Sequence, residues 1–357
     1  MKSYSDYMNE ITPDDLYKGL LKEGLFSEKL PPIFTSESFY EYCMTCAKGT
    51  RQKWKKKAEW IPYTFIRNNG MPRLLGIPSP FAYERLCNCL SENWPKIQNV
   101  FQQNTELDRY NKVSQIHIRK MFGTDAIFEM NYKNWRMDSS PEEKLRIGAR
   151  YTVETDISTC FPSMYTHSIP WSIYGKKETR QMMDALSNRQ WKDEWTNQLD
   201  MYCRNTTNGE THGILIGPHS SNVISEIILT KIDAALRKEN WNFVRYIDDY
   251  HCYVPTYGKG KIFLSHLDRI LRDYDLQLNY KKTKITALPQ YEKSFWTEQI
   301  NLNAEVLLNQ PYLKYNIVRN YWSHLIQSFN ENQNEAAIFN YGLKTLVNRI
   351  NRQGIRV

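Results

Sequence analysis

No stretch of the chain approaches the roughly 20 consecutive apolar residues that a helix needs to cross a bilayer, so no membrane partner is expected. The opening run MKSYSDYMNEITPDDLYKGL has no apolar central segment, and a signal peptide is not expected. The cysteines number seven, an odd count without framework spacing. That argues against a disulfide scaffold and suits a reducing, cytoplasmic location. Cys43-x-x-Cys46 and Cys87-x-Cys89 would make an ill-spaced zinc set, and ERLCNCLSENW reads as a helix, so buried thiols are expected there. One more absence is local. RYIDDYHCYV (245–254) reads as strand–turn–strand, yet its turn has no glycine. In its place stand two adjacent carboxylates, Asp248 and Asp249, which repel each other and call for a compensating positive charge.

What is present fits a globular protein with an anionic partner. Apolar residues make up 41% of the 357 positions, too many for a disordered chain, and the formal charge of +8 favours nucleic acid. Residues 1–60 read as a helical segment ending in the basic–aromatic run RQKWKKKAEW. Lys53, Lys55 and Lys56 there, with Trp54 and Trp60, suit either a solvated helix face or a contact with a phosphate backbone and stacked bases. Two short apolar segments flank Asn68-Asn69-Gly70, a hairpin signal, and residues 81–103 read as a helix carrying Tyr83, Leu86, Leu90 and Trp94. YTVETD (151–156) reads as a strand, with a helix after Pro162. In 212–241 a glycine-punctuated loop leads to a helix capped by Ser220 or Ser221, striped with Val223, Ile224, Ile227, Ile228, Ile232 and Leu236. Residues 261–285 read as an amphipathic helix and a short strand. From about residue 300 the pattern is one helical hairpin, the first unit of a helical array. The order of elements is that of an α+β domain with helices on one face of an antiparallel sheet.

A divalent metal is the natural partner for Asp248 and Asp249, and a two-ion phosphoryl-transfer site needs a third carboxylate on a neighbouring strand. Asp156, at the end of YTVETD, is the candidate. In order along the chain come Asp156 with Phe161, Gly217 in LIGPHSS, Tyr246-Ile247-Asp248-Asp249, and LNYKKT (278–283). This series resembles the palm motifs of a reverse transcriptase, and GMPRLLGIPSP resembles the fingers motif before them. The resemblance implies a right-hand polymerase, with fingers at 61–150, a palm at 151–295 and a C-terminal α-helical segment at 296–357 in place of a normal thumb. It implies two Mg²⁺ ions, with Mn²⁺ as an alternative, held by Asp156, Asp248, Asp249 and the Ile157 carbonyl. It implies dNTP contacts from Arg67, Arg73 and the Ser158 and Thr159 backbone. Phe161 is similar to the aromatic gate against a ribose 2′-OH, Gly217 to the glycine beside the nascent base pair, and Lys282 to the proton donor for leaving pyrophosphate. Lys281 joins the nucleic-acid contacts.

Two departures stand out. Ile216 occupies the place of the usual glutamine before Gly217, with Pro218-His219 following, and no ordinary thumb is recognisable. AAIFNYGLKTLVNRI, NNGMPRLLGIPSPFAYERLCNCLSENW and GPHSSNVISEIIL resemble bacterial abortive-infection, defence-associated reverse transcriptases. That group implies antiphage DNA synthesis on a non-coding RNA template or with none, homo-oligomers and a partner defence protein. A retron or group II intron enzyme, and a nucleic-acid-binding protein with a vestigial palm, are the competing readings. A palm-type nucleotide cyclase lacks its GG[DE][DE]F-like hairpin here.

Overall fold

The structure is a computed structural model, and it describes residues 2–54, 56–67, 70–106, 114, 118–121, 128–129, 142–289, 295–308, 314–332 and 336–353. The chain divides into two compact units, Met1–Tyr63 with Leu74–Leu288, and Thr64–Arg73 with Pro289–Val357.

The strands are β1 (Ile61–Ile66), β2 (Pro72–Ile77), β3 (Arg119–Lys120), β4 (Phe128–Glu129), β5 (Tyr151–Asp156), β6 (Phe243–Tyr246), β7 (Asp249–Val254) and β8 (Lys284–Ala287). Four of them form an antiparallel sheet in the order β6-β7-β5-β8. β1 and β2 form a separate two-stranded sheet, as the hairpin signal predicts, though Asn68 and Asn69 lie outside the described residues. In the larger sheet the side chains alternate between two cores. Phe243, Tyr250, Cys252 and Val254 join the main core with Val153, while Val244, Tyr246 and Tyr253 join a smaller one with Leu145. Helix Tyr257–Arg272 closes over the main-core face. Its Gly260 comes so near β5 that a Cβ would stand 3.0 Å from Val153 Cγ2, a spacing only glycine allows without a shift.

Helix His219–Lys238 buries all six stripe residues named above. It starts at His219 with Pro218 as its N-cap and no side-chain cap, so Ser220 and Ser221 lie in its first turn, not at its cap. The His219 N–H donates to the Gly24 carbonyl at 2.8 Å, a tertiary bond in place of a local one. The segment 81–103 is two helices, Pro80–Glu92 and Trp94–Thr105. Pro95 has no N–H to continue the first helix, so the chain restarts at Asn93 with proline in the first turn of the second. Tyr83, Leu86, Leu90 and Trp94 are all buried, as their spacing predicts.

The second unit holds the hairpin tip and three described helices, Phe295–Leu308, Tyr315–Glu331 and Ala336–Gln353, one more than the single helical hairpin expected. Ile300 and Ala304 of the first meet Tyr321, Leu325 and Ile338 of the others. The Tyr321 hydroxyl donates to the Gly342 carbonyl at 2.8 Å. The architecture is the α+β one expected, with a helical C-terminal segment. All seven cysteines are free; Cys43, Cys87 and Cys89 are buried as expected, whereas Cys46, at the end of its helix, is only half-buried.

Candidate active site

The β5/β7 register places Asp156 directly opposite Asp249. Opposed residues in an antiparallel pair project to the same face, so the two carboxylates share the face of Tyr246 and Tyr253. Ile247 and Asp248 form a two-residue turn between β6 and β7. Such turns favour glycine where φ is positive, yet Ile247 adopts φ +59° with a branched Cβ. That conformation costs about 1–2 kcal/mol and persists only where the surroundings hold it. Two contacts do so. The Ile157 N–H donates to the Asp248 carbonyl at 3.1 Å, and Arg245 Nη1 donates to the Ile247 carbonyl at 2.7 Å.

Arg245 is fully buried and lies on the opposite face of the sheet from Asp249. Its Nε donates to Asp233 at 2.7 Å and its Nη1 to Glu226 at 2.8 Å. Both acids project from helix His219–Lys238 and are buried with it. The Tyr4 hydroxyl donates to Glu226 at 2.6 Å, and Tyr250 and Ser114 hydroxyls complete the shell of Asp233. Burial pushes the Asp233 carboxyl up, against the pull of Arg245. Sequence reasoning missed this cluster. Its signal is two acids seven residues apart, hence on one helix face, in an otherwise apolar stripe.

The three aspartates carry an unbalanced negative charge. Burial, then the neighbouring Asp249 and Asp156, push the Asp248 carboxyl up to about 6. Burial and Asp156 raise Asp249 as well. The compensating charge is Lys282, whose Nζ donates to Asp156 Oδ2 at 2.5 Å and whose own pKa rises through that bond. Asp156 is 5% exposed, and its Oδ1 is buried with no hydrogen-bond partner among the described residues. An orphaned carboxylate oxygen beside two desolvated carboxyls is an all-oxygen donor set that fits a hard divalent ion. Among the described residues, no three acidic, histidine or cysteine side chains already converge on one ion position. Binding would require these carboxylates to close in.

The remaining predicted residues fall as follows. Ile157 is pinned by its bond to Asp248 in the turn and by an isolated bridge to Leu278. The Ser158 N–H is not turned towards a ligand: it donates to the Gln277 carbonyl at 2.8 Å. Thr159 takes a left-handed conformation, φ 45°, as N-cap of the short helix Cys160–Ser163. Phe161, in that helix, is half-buried against the main core, and its carbonyl accepts from Ile214 N–H at 2.9 Å. Gly217 has φ +128°, and a Cβ there would meet Ser27 Cβ at 3.3 Å and the Gly76 carbonyl at 3.5 Å. The departures at 216–219 are thereby absorbed by protein contacts: the Ile216 carbonyl accepts from Gly76 N–H, and His219 is buried, with its pKa lowered to about 4 by that burial. Arg67 and Arg73 lie on the β1–β2 hairpin tip, in the second unit. Lys53, Lys56 and Lys281 are exposed, and Lys55 lies outside the described residues. Trp54 is stacked on Tyr42 and packed against Phe39 and Phe81, so its ring is engaged by protein aromatics.

Residues 77–316 match the family "Reverse transcriptase (RNA-dependent DNA polymerase)". No curated protein is significantly similar to the chain. Among solved structures, it is similar to the apo telomerase of Candida tropicalis, with 12% identity, 90% of this chain and 64% of that one covered, and a TM-score of 0.42. A form of that enzyme truncated from its C-terminal domain matches at 11% identity over 75% and 59%, TM-score 0.38. The telomerase of Candida albicans in complex with a TWJ fragment of telomeric RNA matches at 12% over 83% and 60%, TM-score 0.36. The chain thus spans 59–64% of the length of these structures.

Proposed function

The chain belongs to the reverse transcriptase (RNA-dependent DNA polymerase) family, and on that premise we propose that it joins deoxynucleoside triphosphates into DNA at Asp156, Asp248 and Asp249. The observation that supports this most is the β5/β7 register, which sets Asp156 against Asp249 on one face while Ile157 holds the Asp248 backbone. Mg²⁺, or Mn²⁺ in its place, would be held by the three carboxylates and the Ile157 carbonyl. When bound, such ions supply charge stabilisation for in-line phosphoryl transfer. The chain's own residues orient and select. Phe161 excludes the ribose 2′-OH, and Arg67 and Arg73 hold the triphosphate. Thr159, at the turn after β5, offers its backbone to the same phosphates. Lys282, held by Asp156 in this structure, exchanges that carboxylate for the leaving pyrophosphate and delivers a proton to it. In this assignment residues 61–150 are fingers, 151–295 palm and 296–357 a helical replacement for the thumb.

The resemblance of 68–94, 217–229 and 336–350 to defence-associated enzymes supports an antiphage role in the cytoplasm. It also supports a homo-oligomer and a partner defence protein. The protein packing of residues 216–219 supports weak grip on a long, arbitrary duplex. The template is then a dedicated non-coding RNA, or there is none, with Lys53, Lys55, Lys56 and Lys281 holding that RNA or the DNA product. The test is to incubate purified protein with each dNTP and Mg²⁺, with and without co-purified RNA, beside Asp248→Asn/Asp249→Asn. Polymer from the parent protein and none from the variant is expected. Polymer at parental rate from the variant would refute the carboxylate assignment.

A further inference from the structure

The buried cluster behind the YIDD turn is built in a way that neutralisation alone does not explain. One guanidinium faces two carboxylates, Glu226 and Asp233, and all three side chains are at most 1% exposed. A single carboxylate would balance the charge, and an apolar core would be at least as stable. The second acid, with the Ser114 and Tyr250 hydroxyls around it, serves another purpose. It fixes the rotation of a planar fork whose donors point in set directions. With Nε committed to Asp233 and Nη2 to Glu226 at 3.2 Å, Nη1 has a fixed place, and that place meets the Ile247 carbonyl at 2.7 Å. The Ile247 carbonyl belongs to the peptide unit that leads into Asp248. Holding it sets the plane from which the Asp248 side chain departs.

We infer that Arg245 is a positioning residue for the catalytic turn, and that Tyr4, far away in the sequence, sets it through Glu226. The path is continuous: Tyr4 Oη to Glu226 Oε2 at 2.6 Å, Glu226 Oε1 to Arg245 Nη1 at 2.8 Å, Arg245 Nη1 to the Ile247 carbonyl. The short N-terminal helix Tyr4–Asn9 is held in turn by a capping box at Ser3 and Asp6, and its Tyr4 ring packs on Phe101 at 5.6 Å between centroids. The N-terminal segment is therefore a brace for the turn, and Asp248 takes its position from a residue that never approaches substrate. The inference rests on reading Asp248 as a metal-binding carboxylate.

The test measures Mn²⁺ binding by electron paramagnetic resonance on the full chain without nucleotide, well below the melting temperature. Four proteins are compared: the parent, Asp248→Asn, Arg245→Lys and Tyr4→Phe. Arg245→Lys keeps the charge and loses the fork. Tyr4→Phe keeps the ring and loses only the hydroxyl. Arg245→Lys is expected to weaken Mn²⁺ binding by about 10–100-fold, the usual effect of losing a partner behind a ligand. Tyr4→Phe is expected to weaken it by at least about twofold. Excess Mn²⁺ should restore nucleotide incorporation in both, with the KM for dNTP unchanged at saturating metal. A purely structural cluster would lower the melting temperature and leave the affinity of the folded protein unmoved. If Asp248→Asn binds Mn²⁺ like the parent, the carboxylate reading fails. If Asp248→Asn loses binding while Tyr4→Phe keeps parental affinity, the brace alone is overturned, whether or not Arg245→Lys folds.

Discussion

Replacing Asp248 with asparagine should make the metal-free protein more stable while ending its activity. The Asp248 carboxyl stands at about 6, raised by burial and by Asp249. Relative to an ordinary aspartate near 3.9, holding it ionised at pH 7 costs about 3 kcal/mol. Asparagine keeps the shape and still loses water on burial, so a net gain of about 1–2 kcal/mol is expected, since burying an amide that finds partial hydrogen bonding costs roughly that much less. For a unit of this size that is a rise in Tm of about 2–8 °C. The sign with pH follows from the raised carboxyl. Below about pH 4 it is protonated in both folded and unfolded parent, and the two proteins differ least. As pH rises from about 4 through about 6, the parent loses stability relative to the variant, and above that the gap is constant. The assay is urea unfolding of both proteins in EDTA across pH 4–8, repeated with Mg²⁺. Added metal should narrow the gap, because binding stabilises only the protein that still holds the ion. A variant less stable than the parent in EDTA, or a gap that does not open between pH 4 and 6, would show that the turn carries no electrostatic strain.

Two further outcomes are expected. Phe161→Val should lower the ratio of kcat/KM for dNTP over rNTP at least about tenfold, because a smaller side chain relieves a clash equivalent to roughly 1–3 kcal/mol; an unchanged ratio would make Phe161 a core residue only. Gly217→Ala should cost about 1–3 kcal/mol in urea unfolding, since φ +128° is strained for any side chain and Ser27 and the Gly76 carbonyl leave little room; a loss below 0.5 kcal/mol, on the order of an ordinary surface change, would show that the loop can relax.

The strands and the aspartates were legible because each signal is local. Alternation marks β5 and β7, and the charge pair in a glycine-free turn marks the candidate site. The long helix His219–Lys238 was legible from its stripe, but its start was not, because the His219 N–H is satisfied by Gly24, nearly two hundred residues away. The helix Phe295–Leu308 was overlooked since its inner face is Ile300 and Ala304, and a small residue hides a packing stripe as well as a polar one does. Arg245 was missed for a different reason. A charged residue beside a YIDD turn reads as a surface group, since arginine is rarely fully buried unless paired, and its partners are on another element. The expected ligand-facing N–H of Ser158 is taken instead by the Gln277 carbonyl, a pairing between segments distant in the sequence that no local pattern discloses.

The alternation of the sheet carries a consequence for how such a site tolerates change in length. Arg245 and Asp249 serve the same turn from opposite faces, and their faces are assigned by counting residues outward from the turn. Adding or deleting one residue within β7, with the turn held in place, would exchange the main-core positions Tyr250 and Cys252 with His251 and Tyr253 of the opposite face, unless a bulge absorbed the difference. A one-residue indel is therefore a larger event here than any point change: it sets a whole strand of side chains into the wrong compartment. Length variation in natural sequences of this kind should accordingly collect in the connections outside the sheet and leave 243–254 untouched.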